Sequence, residues 1–259
     1  MIKAGLADPL ISTKTNEWLH SNRERIKAVI LPVGSIEQHS KHLPVGTDYL
    51  ISFKLAIKIA WEAYRRNGVL VLVAPPLPYG LSIEWIDKNH ENFVITLSAI
   101  TFYNVVKDVI NSLILYGFKN IIILNAHGGN ENLLNTVANE LLLSHRENIK
   151  IILLSWWNIV KDLISSRTHQ KRMLHGGEVE TSIALALNIN VSKRYLCNTY
   201  NKLDKLPWEG DRGEIIFSDE VLDRVANAVI GDPEKARKEL GVLLVNYIID
   251  RAVELILRL

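Results

Sequence analysis

The sequence is poor in cysteine, in long apolar runs and in excess charge. Cys197 is the single cysteine among 259 residues, so no intramolecular disulfide can form. One thiol is typical of a protein from a reducing compartment, where it serves as a small core hydrophobe. No stretch approaches the roughly 18 apolar residues of a membrane span, and residues 1–8 lack the apolar region of a secretory signal. We therefore expect a soluble, cytoplasmic protein without membrane contact.

The charge balance gives no sign of a polyanionic partner. The chain has 30 Lys and Arg against 28 Asp and Glu, a net charge of +2, and its basic residues are scattered, which argues against nucleic acid binding. Apolar residues make up 48%, enough for a buried core. No GxGxxG or GK[ST] pattern favours a nucleotide fold, and Ser35 and Ser155 lie in no GxSxG elbow.

Strands and helices alternate along the chain. Short β-branched runs predict buried parallel strands at 26–33, 69–74, 120–125 and 149–155. Helical patterns occupy 47–66, 98–117 and 130–144, and a final helix is predicted over 232–259, begun by a proline. A stretch rich in Trp, Pro and Gly at 198–213 is typical of a lid or an assembly loop. The pattern predicts a layered α/β sandwich with a mostly parallel sheet, and no linker or repeat divides residues 1–259, so we expect a single domain.

Polar residues gather where each predicted strand ends. Glu37 and His39 follow the first strand, and Asp48 begins the next helix. Alternate residues of an extended segment share a face, so Glu37 and His39 can point to one side. Two carboxylates and an imidazole suit a divalent cation. The alternative is that Asp48 only caps its helix and Glu37 is an exposed loop acid.

His127 follows the third strand and precedes Gly128, Gly129 and Asn130. The glycines let backbone approach a ligand closely, and Asn130 is placed to cap the following helix. A phosphate-binding loop is a second interpretation, because backbone amides at a helix start attract anions. A purely structural histidine is the third.

A further polar cluster contains His175, Glu178 and Glu180. The two acids lie where an extended turn becomes a helix predicted over 181–187. An acid there can ligate a metal, and His175 can carry a proton. Acids in a first helical turn also serve simply as favourable partners of the helix dipole.

Four ordered blocks resemble the signature blocks of the creatininase family of amidohydrolases. They are 31–39 (LPVGSIEQH), 43–48 (LPVGTD), 125–130 (NAHGGN) and 175–182 (HGGEVETS), and the similarity continues in 154–162 (LSWWNIVKD) and 231–233 (GDP). The resemblance covers roughly residues 27–240. It implies a three-layer α/β/α sandwich, a homohexamer built as a trimer of dimers, and cleavage of a non-peptide C–N bond in a small amide by metal-activated water.

The resemblance also implies roles for individual residues. Two divalent ions would share Asp48, with Glu37 and His127 completing one site and His39 and Glu180 the other. Zinc is the first choice for these ligands, with manganese or iron as alternatives. His175 matches the catalytic histidine. The implied substrate contacts are Trp157, Asn130, Gly128 and Gly129. His42 and Asn125 are expected to fix the histidine tautomers.

Several positions depart from the creatinine-hydrolysing members and indicate another substrate. Gly129 replaces an acid, Lys171 and Arg172 replace a Trp-Asp pair, Ser40-Lys41 replaces Gly-Pro, and 90–96 (HENFVIT) lacks a Pro-Gly. One alternative is a formamidopyrimidine-nucleotide deformylase of archaeal flavin or deazaflavin biosynthesis, in which Lys41, Lys171 and Arg172 would meet a phosphate unless they are merely solvated. Another is a peptide-trimming enzyme of redox-cofactor maturation. A non-catalytic metal-binding relative is the rival from a different class, and the presence of both His175 and Glu180 argues against it.

Overall fold

The computed structural model describes residues 8–145, 149–196, 201–203, 215, 218–226 and 228–259. Cys197 and most of the loop predicted at 198–213 lie outside these residues. Within the described ranges, every helix is too short or too polar to cross a lipid bilayer.

A four-stranded parallel sheet forms the centre of the molecule. Its strands are β1 (Ile26–Val33), β2 (Leu70–Val73), β3 (Asn120–Asn125) and β4 (Lys150–Ser155), in the spatial order β2-β1-β3-β4. Each predicted strand is confirmed to within one residue at either end. The runs of Ile, Leu and Val in β1, β2 and β3 are buried on both faces, as expected for parallel strands covered by helices, whereas the run in the edge strand β4 is half-buried.

Nine α-helices are found in the described part of the chain. They are α1 (Asn16–Asn22), α2 (Thr47–Asn67), α3 (Ala99–Tyr116), α4 (Glu131–Ser144), α5 (Trp156–Ile159), α6 (Lys161–Arg167), α7 (Glu178–Ala186), α8 (Asp219–Ala226) and α9 (Lys238–Leu257). Helix ends follow local chemistry. The Ser98 hydroxyl accepts a hydrogen bond from the Thr101 amide at the start of α3, and Gly117 ends that helix with a left-handed φ of 108°.

Two apolar cores lie on opposite faces of the sheet. Ala28, Ile30, Val71 and Ile122 face a layer containing α2, α7 and α9. The alternate strand residues face α3 and α4. Each fully buried Leu or Ile contributes about 1.5–3 kcal/mol relative to exposure. The molecule is a three-layer α/β/α sandwich, as predicted.

The C-terminal segment differs from the single helix predicted over 232–259. Pro233–Lys235 form one 3₁₀ turn, the chain is extended at Arg237, and α9 begins at Lys238. A contact with another helix stabilises this break, since Ser182 Oγ on α7 accepts a hydrogen bond from the Arg237 amide at 3.0 Å. Gly241 then packs so closely on α7 that a Cβ there would lie 1.8 Å from the Ser182 carbonyl oxygen.

A small parallel sheet lies beside the loop that precedes α7. Its strands are β5 (Asn201–Leu203) and β6 (Ala228–Ile230), and the Ile230 amide donates to the carbonyl of His175 at 2.8 Å. Helix α7 starts at Glu178, three residues earlier than predicted. Both features fix the backbone of the 175–180 segment.

Candidate metal centre

The predicted site residues meet at the carboxyl edge of the central sheet. The chain passes from β1 through α2 to β2 on one side, whereas β3 pairs with the other side of β1. The strand order therefore reverses between β1 and β3, and the loops after these two strands diverge to leave a crevice, the usual ligand position in open α/β sheets. Glu37 and His39 come from the first of these loops and His127 from the second.

Asp48 lies between two histidines at the start of α2. Its Oδ1 is 3.1 Å from His39 Nε2, and its Oδ2 is 3.1 Å from His127 Nδ1. Glu180 Oε2 approaches His39 Nε2 at 3.6 Å, and Glu37 Oε2 lies 3.1 Å from His127 Nδ1. All five side chains are buried.

These residues form the two groups that the sequence suggested. Glu37, Asp48 and His127 offer ligand atoms within 4.8 Å of one another, and so do His39, Asp48 and Glu180. A third such group consists of Glu37, His39 and His175. Three carboxylates and up to three imidazoles thus converge on one buried volume, where charges must be paired or hold a metal.

His175 lies beside this cluster in a fixed orientation. Its Nε2 is 2.8 Å from the Gln38 carbonyl oxygen, which can only accept, so Nε2 carries the proton and Nδ1 is free of it. Nδ1 faces the cluster, 3.5 Å from Glu37 Oε1. The Trp85 ring stacks on the imidazole with centroids 3.6 Å apart. Burial and the nearby His39 lower the pKa of His175 well below its usual value, so the ring is neutral.

The buried charges shift the pKa values of the other cluster members. Burial opposes the charged form of His39, but the carboxylates of Asp48 and Glu180 outweigh it and raise the His39 pKa well above its usual value. Against the same penalty, Glu37 and Asp48 raise the pKa of His127. Burial raises the pKa of Glu37 to about 7. The protein groups alone therefore retain protons that a bound cation would displace.

Backbone carbonyls, rather than the expected side chains, orient the two cluster imidazoles. His39 Nδ1 lies 3.0 Å from the Glu37 carbonyl oxygen, and His127 Nε2 lies 2.6 Å from that of Leu81. Asn125 bonds the backbone of His127 and the side chains of Ser155 and Asn130, and does not bond an imidazole ring. His42 Nε2 contacts Gly176 O and Thr181 Oγ1. The expectation that Asn125 and His42 fix the tautomers is wrong, because the hydrogen bonds of both side chains stabilise loops instead.

A cavity of about 790 Å³ opens beside the cluster. Gly128, Gly129 and Trp157 line it, as do the cluster residues Glu37, Asp48, His127, His175 and Glu180. Gly129 permits a close approach, since a Cβ there would lie 2.3 Å from the Leu81 carbonyl oxygen and 2.7 Å from His127 Nε2. At Gly128, by contrast, a Cβ would meet nothing within 4 Å.

Asn130 lies at the predicted N-cap of α4 but makes no capping bond. Its amide nitrogen donates instead to the Gly34 carbonyl at 3.0 Å, and its oxygen accepts the Leu81 amide at 2.9 Å. It is fully buried and lies outside the cavity lining. Asn130 therefore ties the loops after β1, β2 and β3 together, and its contact with substrate stays a prediction.

Other candidate residues lie away from the cluster. Glu178 is fully buried and accepts the His169 amide at 2.7 Å. His90 is exposed. Lys171 and Arg172 line the cavity, whereas Lys41 is exposed and absent from its lining.

Sequence reasoning did not single out three further residues at the site. Ser82, Trp85 and Lys161 contact or line the site. The buried Ser82 hydroxyl donates to Glu37 Oε2 at 2.5 Å and lies 3.2 Å from His127 Nε2. Ser82 and Trp85 belong to an irregular turn after β2, where no spacing rule applies. The polar residue Glu84 marks that turn in the sequence, and its carboxylate lies 3.9 Å from His127 Nε2.

Comparisons with known proteins point to one family. The family model described as creatinine amidohydrolase matches residues 13–256. Creatinine amidohydrolase of Pseudomonas putida is 29% identical over 61% of this chain and 64% of its own length. The mycofactocin precursor peptide peptidase of Mycolicibacterium smegmatis is 34% identical over 46% of each chain. The chain thus spans about half to two thirds of the length of these curated relatives.

A solved structure described as the manganese form of creatininase has the same fold. It superposes with a TM-score of 0.74 at 22% identity and covers 97% of this chain and 98% of its own. The family match over nearly the whole chain and the shared fold assign the chain to one family. The chain belongs to the creatinine amidohydrolase (creatininase) family of hydrolases.

Proposed function

We propose that the protein is a hydrolase that uses two divalent cations to cleave a C–N bond in an amide other than a peptide. One observation carries the proposal. The two oxygens of Asp48 reach two different histidines at 3.1 Å each, so that one carboxylate is shared between two ligand groups. A shared carboxylate is the usual bridge of a two-metal site.

The residues present fit such ions. His39 Nε2 and Asp48 Oδ2 are buried and make no hydrogen bond of acceptable geometry, although a potential partner lies 3.1 Å from each. Burial alone would raise the pKa of Asp48, yet His39 and His127 hold it below the usual range. A carboxylate kept ionised among inward-pointing ring nitrogens is a ligand set for a hard or borderline cation.

Each ion would have three protein ligands. Glu37, Asp48 and His127 would hold one, and His39, Asp48 and Glu180 the other. Bound divalent ions lower the pKa of water to about 7 and polarise a carbonyl, which supplies a nucleophile at neutral pH. Zinc is our first choice and manganese or iron the alternatives. The manganese form of a creatininase supports a divalent ion in this fold.

His175 would carry the proton during amide cleavage. Its Nδ1 is unprotonated and faces the cluster, while Nε2 is held by the Gln38 carbonyl. Addition of water gives the carbonyl carbon a hydroxyl group and breaks the C–N bond. The proton that water releases passes through His175 Nδ1 to the leaving nitrogen. Trp85 keeps the ring in place by stacking on it.

The substrate differs from creatinine in our proposal. The relatives' names already cover a small cyclic amide and a precursor peptide. Hydrolysis is therefore the shared property, and the cavity of about 790 Å³ accepts a ligand larger than a small ring. We further propose a homo-oligomer, a hexamer built as a trimer of dimers, as the resemblance implies.

The decisive experiment is the substitution Asp48→Asn. Elemental analysis of the purified protein should find fewer than two ions per chain, and hydrolysis should fall more than about 100-fold, beyond the loss caused by changing an outer residue. Asp162→Asn, an exposed acid on α6, is the matched control and should retain metal and activity.

The substrate panel contains cyclic amides, formamidopyrimidines and short peptides. An Asp48→Asn protein that keeps both ions contradicts the shared carboxylate. A wild-type protein that holds two ions but cleaves no member of the panel favours the non-catalytic relative.

A further inference from the structure

We infer that the substrate carries an anionic group, a phosphate or a carboxylate, which three cationic side chains of the cavity bind. These are Lys161, Lys171 and Arg172, here called the basic segment. The inference rests on the proposed function, because it places the scissile bond at the metal centre and the anion elsewhere in the same cavity.

The size of the cavity leaves room for such a second contact. Its volume of about 790 Å³ corresponds to roughly 25 water molecules at about 30 Å³ each. A small cyclic amide placed at the cluster would leave most of this space to solvent. Good ligand sites bury most of their ligand, so the cavity fits a larger molecule that extends away from the metal centre.

The charges of the lining point to the chemistry of that extension. In the described part of the chain, neither Lys161 nor Lys171 forms an ion pair with a carboxylate, although surface lysines elsewhere, such as Lys88 and Lys107, do. Lys161 and Lys171 are exposed, so their charges are available to a ligand, and the Arg172 side chain is exposed next to Lys171. Ammonium and guanidinium groups bind phosphate and carboxylate oxygens through charge-assisted hydrogen bonds.

The buried acid Glu178 fixes the loop that carries Lys171 and Arg172. Glu178, which is fully buried, accepts the His169 amide at 2.7 Å and lies 3.2 Å from His169 Nδ1. The Gln170 amide donates to the Arg172 carbonyl at 2.7 Å. Lys171 itself adopts a left-handed φ of 63°, which a non-glycine residue rarely does.

This support explains Glu178, which the proposed reaction does not use. Its carboxylate holds the backbone at His169 in place, two residues before Lys171 and three before Arg172. A loop that merely crossed the surface would need neither a buried acid nor a left-handed lysine. The arrangement therefore supports a binding loop whose cations stand at set positions in the cavity.

Ribose 5-phosphate, glutarate and ribose are suitable probes of the metal-loaded protein, with binding measured by calorimetry. We expect ribose 5-phosphate, glutarate or both to bind, and ribose not to bind. The double variant Lys161→Gln/Lys171→Gln should weaken anion binding about tenfold or more, since each charged hydrogen bond contributes substantially. Lys58→Gln, an exposed lysine on α2, should change nothing. Preference for phosphate or for glutarate identifies the anion.

Equal binding of the anions by the wild type and the double variant overturns the inference, because the anion then lies at the metal centre. Absence of anion binding to the wild type overturns it as well. Metal content and cleavage of a neutral amide are measured on the same samples. If both are normal while the anion result fails, the proposed function stands without the anionic substrate.

Discussion

At the scale of single residues, a change of His175 tests whether proton transfer is separate from metal binding, as we propose. His175→Asn removes the basic Nδ1 but leaves the five proposed ligands, so we expect activity to fall about 10²- to 10⁴-fold with metal content unchanged. Activity assays and elemental analysis check this, with the exposed His90→Asn as control. Loss of one ion would instead identify His175 as a ligand, in keeping with its group with Glu37 and His39.

His42 makes stability depend on pH in a defined direction. Burial lowers its pKa to about 4 in the folded chain, whereas an unfolded chain binds that proton near 6.5. The contribution is fully present above pH 6.5 and is lost as the pH falls through about 4, by about 3 kcal/mol in all. Urea unfolding of metal-free protein at pH 7 and 4.5 should show this loss.

The variant His42→Gln should lose less stability over the same interval, since a neutral amide replaces the imidazole. His20→Gln, an exposed histidine at the end of α1, should behave like the wild type. Identical pH dependence in all three proteins would show that His42 is not the group responsible.

At the scale of elements, the turn between β3 and α4 admits a side chain at one glycine and not at its neighbour. Gly129→Ala places a methyl group against the Leu81 carbonyl and His127, so we expect a loss of about 1–3 kcal/mol and weaker metal binding. Gly128→Ala faces open space and should cost little. Chemical denaturation and metal titration of both variants test the difference. Equal effects would show that the turn relaxes.

The same elements show how far the sequence could predict the fold. The strands were predictable because buried parallel strands are continuous runs of Ile, Leu and Val, as in Asn120–Asn125. The break before α9 was not, because it depends on the Ser182 hydroxyl of α7 and on the packing of Gly241 against α7, which are contacts between residues that are distant in sequence. Local signals such as Pro233 cannot report such a contact.

The candidate site shows the same division. Glu37, His39, Asp48, His127 and Glu180 were named from motif blocks, and the structure brings them together. Ser82 and Trp85 were missed because they lie in an irregular turn, and their proximity to Glu37 and His175 exists only in three dimensions. The expected roles of Asn125 and His42 failed because backbone carbonyls already orient the rings.

At the scale of the whole molecule, the proposed ions join loops that follow three different parts of the sheet. Ions that bind only the folded chain should stabilise it by about 2.7 kcal/mol at a free concentration 100 times the dissociation constant. For a chain of this size that raises the melting temperature by about 5–10 °C. Calorimetry with and without a chelator measures the shift. An unchanged melting temperature would argue against ions at this site.

The residues proposed to hold the ions lie at 37–48, 127 and 180, whereas Trp157, Lys161, Lys171 and Arg172 belong to an intervening stretch. Mutations in that stretch can reshape the far part of the cavity while the reaction centre stays as it is. Relatives that descend from one ancestor can therefore diverge in substrate specificity while they keep the same reaction. Grafting residues 157–172 between relatives is the corresponding route for an engineer.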